Sequence, residues 1–224
     1  YIGSKFNFIQ ADENGDGVNE EYALLSFPVS IEYDERDDIL DPKHGWRVGA
    51  EVAPFVDTLD TSRGFVKTSL GASTYHTFER AKFTPTIAIR GATGSINGLD
   101  TDNIPITERF YAGGGGSVRG YAFQKLGPLE ADEVPTGGRS FAEVSFETRA
   151  KFSPKWGAVL FLDGGNAYDD ITPDFDEEMR FAYGGGLRYY TDFAPLRLDV
   201  AIPIDRRDGI DDSFQFYISI GQAF

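Results

Sequence analysis

LRLDVAIPID, residues 196–205, decides the fold. Leu196, Leu198, Val200, Ile202 and Ile204 are apolar, and their neighbours are Arg197, Asp199, Ala201, Pro203 and Asp205. A strict alternation turns one face toward an apolar phase and the other toward a polar one. That is the period of a strand; a helix would space its apolar residues three and four apart. The last segment repeats the pattern, with Phe214, Phe216, Ile218 and Ile220 set against Ser213, Gln215, Tyr217 and Ser219. Upstream, Ala142, Val144, Phe146, Thr148, Ala150 and Phe152 alternate with Phe141, Glu143, Ser145, Glu147, Arg149 and Lys151.

Working outward, the same reading gives strands over 25–33, 46–52, 63–76, 83–89, 156–168 and 177–190, and residues 1–10 read as the tail of another. The expected total is about ten strands and no helix, each close to the ~9–11 residues a tilted strand needs to cross a bilayer. Full charges lie on the polar face, while the apolar face carries aromatics at its ends: Tyr33, Trp46, Tyr189 and Phe224. Links at 77–81, 153–155 and 191–194 are short, whereas those at 11–19, 93–137 and 169–176 are longer and mostly acidic; the link 34–45 breaks this rule. Apolar outside, polar inside, an aromatic girdle and uneven loops describe an all-β, antiparallel transmembrane β-barrel. A soluble β-sandwich binding module also alternates and stands as the rival fold.

Composition narrows the function. No run approaches 18 consecutive apolar residues, so no transmembrane helix is expected, and no signal peptide is visible. The chain opens at Tyr1 rather than Met, which suggests an upstream portion. With no Cys there is neither a disulfide framework nor a thiolate metal site. A net charge of −15 argues against nucleic acid, which needs clustered Lys and Arg. His44 and His76 lie far apart in sequence, and no nucleophile, base or nucleotide loop is recognisable, so no enzyme and no cofactor is expected. One local pattern stands apart. Asp12, Asn14 and Asp16 at alternate positions, followed by Gly17, match the opening of a calcium loop. Its twelfth position is Ala23, with Glu20 or Glu21 as stand-ins, so a calcium site and a plain solvated acidic loop both remain open.

The connection 93–137 is too long for a passive hairpin. Its centre, RFYAGGGGSVRGYAFQKLGP (109–128), holds four consecutive glycines and then Arg119 between Val118 and Gly120-Tyr121. A phosphate-binding loop would end in Gly-Lys-Ser/Thr, which is absent. If this loop folds into the barrel, Arg119 needs a carboxylate, because an unpaired desolvated charge is costly. Parity supplies two. Asp163 shares a face with Val159 and Phe161, opposite Ala158, Leu160 and Leu162, and Glu147 falls on the inward face by the same count. The bland alternative is a loop arginine in solvent and unrelated barrel carboxylates.

With these residues in hand, the chain resembles the outer-membrane protein assembly family of the BamA/TamA type, in the bacterial surface antigen superfamily. The loop carries that family's Val-Arg-Gly-Tyr motif at Val118, Arg119, Gly120 and Tyr121. Phe161, Asp163 and Gly165 in AVLFLDGGNAY match its Phe-x-Asp-x-Gly strand, and Glu147 in GGRSFAEVSFETRAKF matches its acidic position just after the loop. The closing stretches YGGGLRYYTDFAPLRLDVAIPI and FQFYISIGQAF are similar to the TamA branch. The resemblance covers nearly all of 20–224. It implies a barrel of about sixteen strands, with residues 1–224 its C-terminal part, the long loop 93–137 folded into the lumen, and POTRA domains and early strands upstream. It also implies a loop lock of Arg119 on Glu147 and Asp163, and a lateral seam at the last strand, kinked inward at Gly221 and ending at Phe224. Implied partners are outer-membrane lipid, client outer-membrane proteins and an inner-membrane-anchored Tam partner. The implied activity is protein insertion or translocation at the bacterial outer membrane; a two-partner-type secretion pore and a porin-like channel are the rivals among barrels. One departure is Gln222, where a second terminal aromatic is usual.

Overall fold

The computed structural model describes residues 2–4, 7–15, 18–60, 63–81, 83–175 and 179–224, with side chains described except over 8–21. Twelve strand segments join in one antiparallel sheet. β1 (Ile2–Ser4) pairs with β4 (Val29–Asp34), and β2 (Asn7–Gly15) pairs with β3 (Val18–Ser26). These four segments therefore make two passes of the wall. β5 (His44–Asp57) takes both β3 and β4 as neighbours. A meander follows through β6 (Gly64–Thr77), β7 (Thr86–Asn97), β8 (Ser140–Lys151), β9 (Trp156–Tyr168), β10 (Arg180–Tyr190), β11 (Pro195–Pro203) and β12 (Gln215–Ile220). The wall thus has ten passes, five on each side of the long loop, as the alternation predicts. The only helices among the described residues are two 3-10 turns inside that loop, at Thr101–Asn103 and Ile106–Glu108. The wall is open among the described residues, since β12 pairs with β11 and not with β1.

The two faces separate as the sequence requires. Outward residues on β9 and β12 are strongly exposed, Leu160 at 70% and Ile218 at 73%, while inward Glu147 and Arg188 are at 0%. An apolar exterior around a charged interior suits hydrocarbon outside, where every backbone polar group must be satisfied by the sheet itself. At the end bearing the short links the girdle pairs up: Tyr33 and Trp46 lie 4.8 Å apart between ring centroids, and Trp156 and Tyr189 5.0 Å apart.

Four expectations change. First, the acidic run 11–15 is strand, its ladder continuing to Asn14↔Asn19 and Gly15↔Val18, so this is the tip of a long hairpin rather than an open loop. Charge signals solvent, and a strand projecting beyond the bilayer is as solvated as a loop. Second, the long loop is 98–139, because β7 continues to Asn97 and β8 begins at Ser140. Third, the 35–43 link is a closed turn at the short-link end. Glu35 N–H donates to the Trp46 carbonyl (2.9 Å), and the Asp37 and Asp38 carboxylates accept from the amides of Lys43, His44, Leu40 and Asp41. Fourth, Phe224 is not in the outer girdle. Gly221 has φ +86°, a left-handed conformation that glycine adopts without Cβ strain. It ends β12 and turns the tail inward, bringing the Phe224 ring within 6.2 Å of the lumenal Tyr75 ring.

Candidate functional site

The loop 98–139 lies against the inner wall and rests on two different seats. Its first part covers an apolar patch. Ile104 packs with Tyr22, Leu24, Ala53, Phe55, Phe65 and Ile96, and Leu99 and Phe110 close the edge. The Phe55 and Phe65 rings stack at 4.5 Å. These side chains come from the inward face of β3, β5, β6 and β7, where a barrel interior would ordinarily be polar; the loop is what keeps them from water.

The second seat is ionic and centres on Arg119, 1% exposed. Its Nε donates to Asp163 Oδ2 (2.6 Å) and its Nη2 to Asp163 Oδ1 (2.8 Å), the two-point fork that a planar guanidinium offers a carboxylate. The backbone N–H of Arg119 adds a third bond to Asp163 Oδ2 at 3.2 Å. Nη1 donates to Glu147 Oε1 (2.6 Å) and to Asp199 Oδ2 (3.3 Å), and Nη2 reaches Ser145 Oγ at 3.4 Å. The guanidinium carbon lies 3.5 Å from the centroid of the Phe161 ring, whose face adds cation–π attraction in a site closed to water. Charge here is shared rather than paired off. Arg149 donates to Glu147 Oε2 (2.7 Å), Arg188 donates to Asp199 Oδ1, and Arg197 Nε stands 3.2 Å from Asp199 Oδ2. Four guanidinium groups and three carboxylates therefore meet on β8 to β11 and the loop.

The flanking residues set the loop's path. Gly120 has φ +101°, and a Cβ there would meet the Ala182 Cβ at 2.6 Å. Its N–H donates to Tyr217 Oη (3.0 Å), and the Tyr217 hydroxyl donates to the Tyr121 carbonyl (3.2 Å). The Tyr121 hydroxyl in turn donates to the Phe181 carbonyl at 2.9 Å. Burial, with Asp205 nearby, pushes that phenol up to about 12, so it keeps its donor proton. Val118 is 1% exposed and sits where a side chain on Gly165 would be, at 2.9 Å from a Cβ built there. The tetraglycine run presents acceptors: the Gly115 carbonyl takes a bond from Arg197 Nη2 (3.1 Å) and the Gly116 carbonyl one from Arg90 Nη1 (3.0 Å). Ser117 Oγ donates to Glu143, which also pairs with Arg90 at 2.7 Å.

The structure therefore brings together Val118, Arg119, Gly120, Tyr121, Glu147, Phe161, Asp163 and Gly165, the eight residues singled out for the loop. The sequence reading missed Asp199 as a third acceptor, and with it Arg149, Arg188, Ser145 and Tyr217. Parity already placed all of these inward; the signal not used was that every charged inward residue near the middle of β8, β10 and β11 needs a partner. Gly221 and Phe224 lie at the last strand's end, as above. Of the calcium-like run, Asp12 and Asn14 are in β2, and Asp16 lies outside the described residues. Among the described residues no group of three His, Cys, Asp or Glu is arranged to hold a metal. His44 and His76, far apart in sequence, are cross-strand neighbours on the outer face.

The Omp85 superfamily domain is the family model that matches this chain, over residues 3–224. The chain belongs to the Omp85 superfamily. Among curated proteins it is 30% identical to the outer membrane protein assembly factor BamA of Nitratidesulfovibrio vulgaris over 167 residues, 71% of this chain and 20% of that protein. It is 29% identical to the same-named factor of Neisseria meningitidis serogroup B, over 62% of this chain and 22% of that one. The chain spans about a fifth of the length of these Omp85 relatives. In fold it is similar to a crystal structure of BamA from Haemophilus ducreyi lacking POTRA domains 1-3, with a TM-score of 0.71 and 20% identity, covering 91% of this chain and 43% of that one.

Proposed function

We propose that this chain is the C-terminal barrel portion of a bacterial outer-membrane machine that inserts or translocates other proteins, acting as a scaffold rather than an enzyme. Client strands would enter by pairing with an edge of the wall, which is β-augmentation. The observation that carries this reading is the last strand. β12 has 6 residues against the 9 of its ladder partner β11, and Gly221 turns the chain away from the sheet straight afterwards. Fewer ladder bonds lower the cost of opening that edge, and an exposed edge templates another strand. A porin-like channel is disfavoured, because a passive pore gains nothing from a truncated closing strand or from a loop held by buried arginine. The name of the curated relatives, outer membrane protein assembly factor, supports the same direction. Within the superfamily the closing stretch 183–224 favours the TamA branch, with an inner-membrane-anchored Tam partner and outer-membrane lipid as its surroundings.

The test is a disulfide in the complete protein clamping the last strand to the first. Client insertion should stop while the barrel stays folded by heat-modifiable electrophoresis. A clamp between β6 and β7, whose ladder runs from Val66↔Asn97 to Thr77↔Thr86, should leave insertion unchanged. Full activity with the seam locked would overturn lateral opening and favour transport through the lumen, as in a secretion pore. Loss of insertion on deleting a Tam-type partner gene, with BamA intact, would support the TamA assignment.

A further inference from the structure

Two hydrogen-bonded paths leave the seat of Arg119 and end on the tail beyond Gly221. The first runs along β8. Arg119 Nη1 donates to Glu147 Oε1, the second oxygen of Glu147 accepts from Arg149 Nε (2.7 Å), and Arg149 Nη2 donates to the Phe224 carbonyl oxygen (3.0 Å). The Arg149 guanidinium also lies 5.3 Å from the Phe224 ring centroid. The second runs through β11 and β10. Arg119 Nη1 donates to Asp199 Oδ2, Asp199 Oδ1 accepts from Arg188 Nη1, and Arg188 Nε donates to Gln222 Oε1 (2.8 Å). Gln222 is fastened in turn to the 35–43 turn, its N–H on the Leu40 carbonyl (3.0 Å) and its Nε2 on Asp41 Oδ1 (2.9 Å).

We propose that Arg149 and Arg188 are positioning residues that couple the seating of the loop to the docking of the tail. Each guanidinium divides its donors between a carboxylate that also holds Arg119 and an acceptor in 222–224. When Arg119 is in place, Glu147 and Asp199 are each shared between two or more cations, and Arg149 and Arg188 keep donors for the tail. When Arg119 leaves, those carboxylates lose a buried partner, and an uncompensated buried charge is strongly unfavourable. The compensation nearest at hand is a tighter fork from Arg149 and Arg188, at the expense of their tail contacts. Coupling between two sites is reciprocal, so freeing the tail must equally weaken the loop's seat. A purely local role, neutralising two carboxylates, would need neither the Phe224 nor the Gln222 contact. The proposal rests on the assembly reading only for its use: a seated loop would hold the end of the last strand, and a released loop would free it.

Residues 1–224 hold no Cys, so nitroxide labels can be placed singly at Ala223→Cys and Phe123→Cys in a full-length protein with any cysteine elsewhere replaced by Ser, Phe123 being 76% exposed in the loop. Electron paramagnetic resonance then reads the mobility of tail and loop separately. Arg119→Ala should mobilise the label at 223. Arg149→Lys with Arg188→Lys keeps both charges but removes the forks; it should mobilise both labels, and adding Arg119→Ala to it should change the tail no further. Gln222→Ala, which removes no charge from the cluster and guards against misfolding of the arginine variants, takes away the acceptor of Arg188 Nε and should mobilise the loop label as well. An unchanged tail label in Arg119→Ala, or an unchanged loop label in Gln222→Ala, would overturn the coupling. Coupled labels together with normal client insertion in every variant would leave the coupling standing and count against the assembly reading.

Discussion

The two seats of the loop 98–139 hold the same segment by opposite physics. Around Ile104 the loop covers Phe55, Phe65 and Ile96, and the contact is apolar, non-directional and tolerant of small shifts. Around Arg119 every contact has a direction: a fork on Asp163, single bonds to Glu147 and Asp199, and a ring face at Phe161. The difference teaches what each seat can do. An apolar seat excludes water and sets an approximate position. The ionic seat specifies one position, and its loss leaves the buried Asp163 without a cation and takes one from Glu147 and Asp199, so it is the one that can act as a two-state catch.

The largest effect should follow from breaking the catch. Arg119→Ala leaves Asp163 with no cation, Glu147 with Arg149, and Asp199 with Arg188 and Arg197, at a cost of about 3–5 kcal/mol for a broken buried pair. Limited proteolysis in detergent should show 111–128 becoming cleavable while the barrel keeps its heat-modifiable migration. Unchanged protease resistance would mean that the apolar seat alone holds the loop.

A smaller effect should follow at the other seat. Ile104→Ala removes a side chain that is 1% exposed, and deleting a buried isoleucine costs about 2–5 kcal/mol. The low part of that range applies, because an irregular loop can settle into the space. The predicted signature differs in kind: hydrogen exchange should rise around 99–110 and stay near wild type at 118–121. If both regions loosen together in Ile104→Ala, the seats are one cooperative unit and the contrast between them fails.

How far these seats were legible in the sequence follows from the same contrast. A lone arginine in a glycine-rich loop needs a partner, and strand parity points Glu147 and Asp163 inward, so half of the ionic seat could be read without coordinates. Asp199 was placed inward by the same parity but not connected, since β11 is three strands from β8 and only the curvature of the wall brings both carboxylates to one guanidinium. Asp199 is 0% exposed, accepts hydrogen bonds from Arg119 and Arg188, and stands in an ion pair with Arg197. The apolar seat was not legible at all. Phe55, Phe65 and Ile96 obey alternation, but on a face expected to be polar, and nothing local says that a loop will cover them. Alternation up to Ile220 puts Phe224 in the girdle and says nothing about a reversal at Gly221; the inward kink there is implied by the family resemblance alone.

A finer cut within the ionic seat is Tyr217→Phe. It removes the oxygen that accepts from Gly120 N–H and donates to the Tyr121 carbonyl, while keeping the ring. A buried amide left without an acceptor costs about 1–3 kcal/mol, and the low end applies to this part-buried bond. The exchange rate of the Gly120 amide should rise by roughly tenfold, the equivalent of ~1.4 kcal/mol, with the Ile104 region unaffected. No change at Gly120 would show that Arg119 alone sets the backbone path.

The smallest effect is expected at the loop's far limb, and it should depend on acid. The Arg207 guanidinium donates to the Lys125 carbonyl (2.7 Å) and forks onto Asp211 at 2.8 Å from both Nε and Nη2, tying the long loop to the 204–214 link outside the membrane-spanning strands. Burial opposes ionisation of the Asp211 carboxyl, but the hydrogen bonds from Arg207 outweigh it, and the pKa is lowered from the ordinary carboxylate value. A carboxylate whose folded pKa lies below its unfolded value stabilises the folded state fully above the unfolded value, about 3.9 for Asp. That contribution fades as pH falls below there and through the folded pKa. Hydrogen exchange protection in 204–214 and around Lys125 should therefore be flat from neutral pH down to about 5 and should decline below about 4. Asp211→Asn should lower protection at neutral pH and remove the acid-dependent step, whereas amides around Ile104, seated on apolar side chains, should show no such step in either protein. A step at Ile104 that vanishes with Asp211→Asn would mean that the far limb and the apolar seat move as one, and only the Arg119 catch would then stand apart.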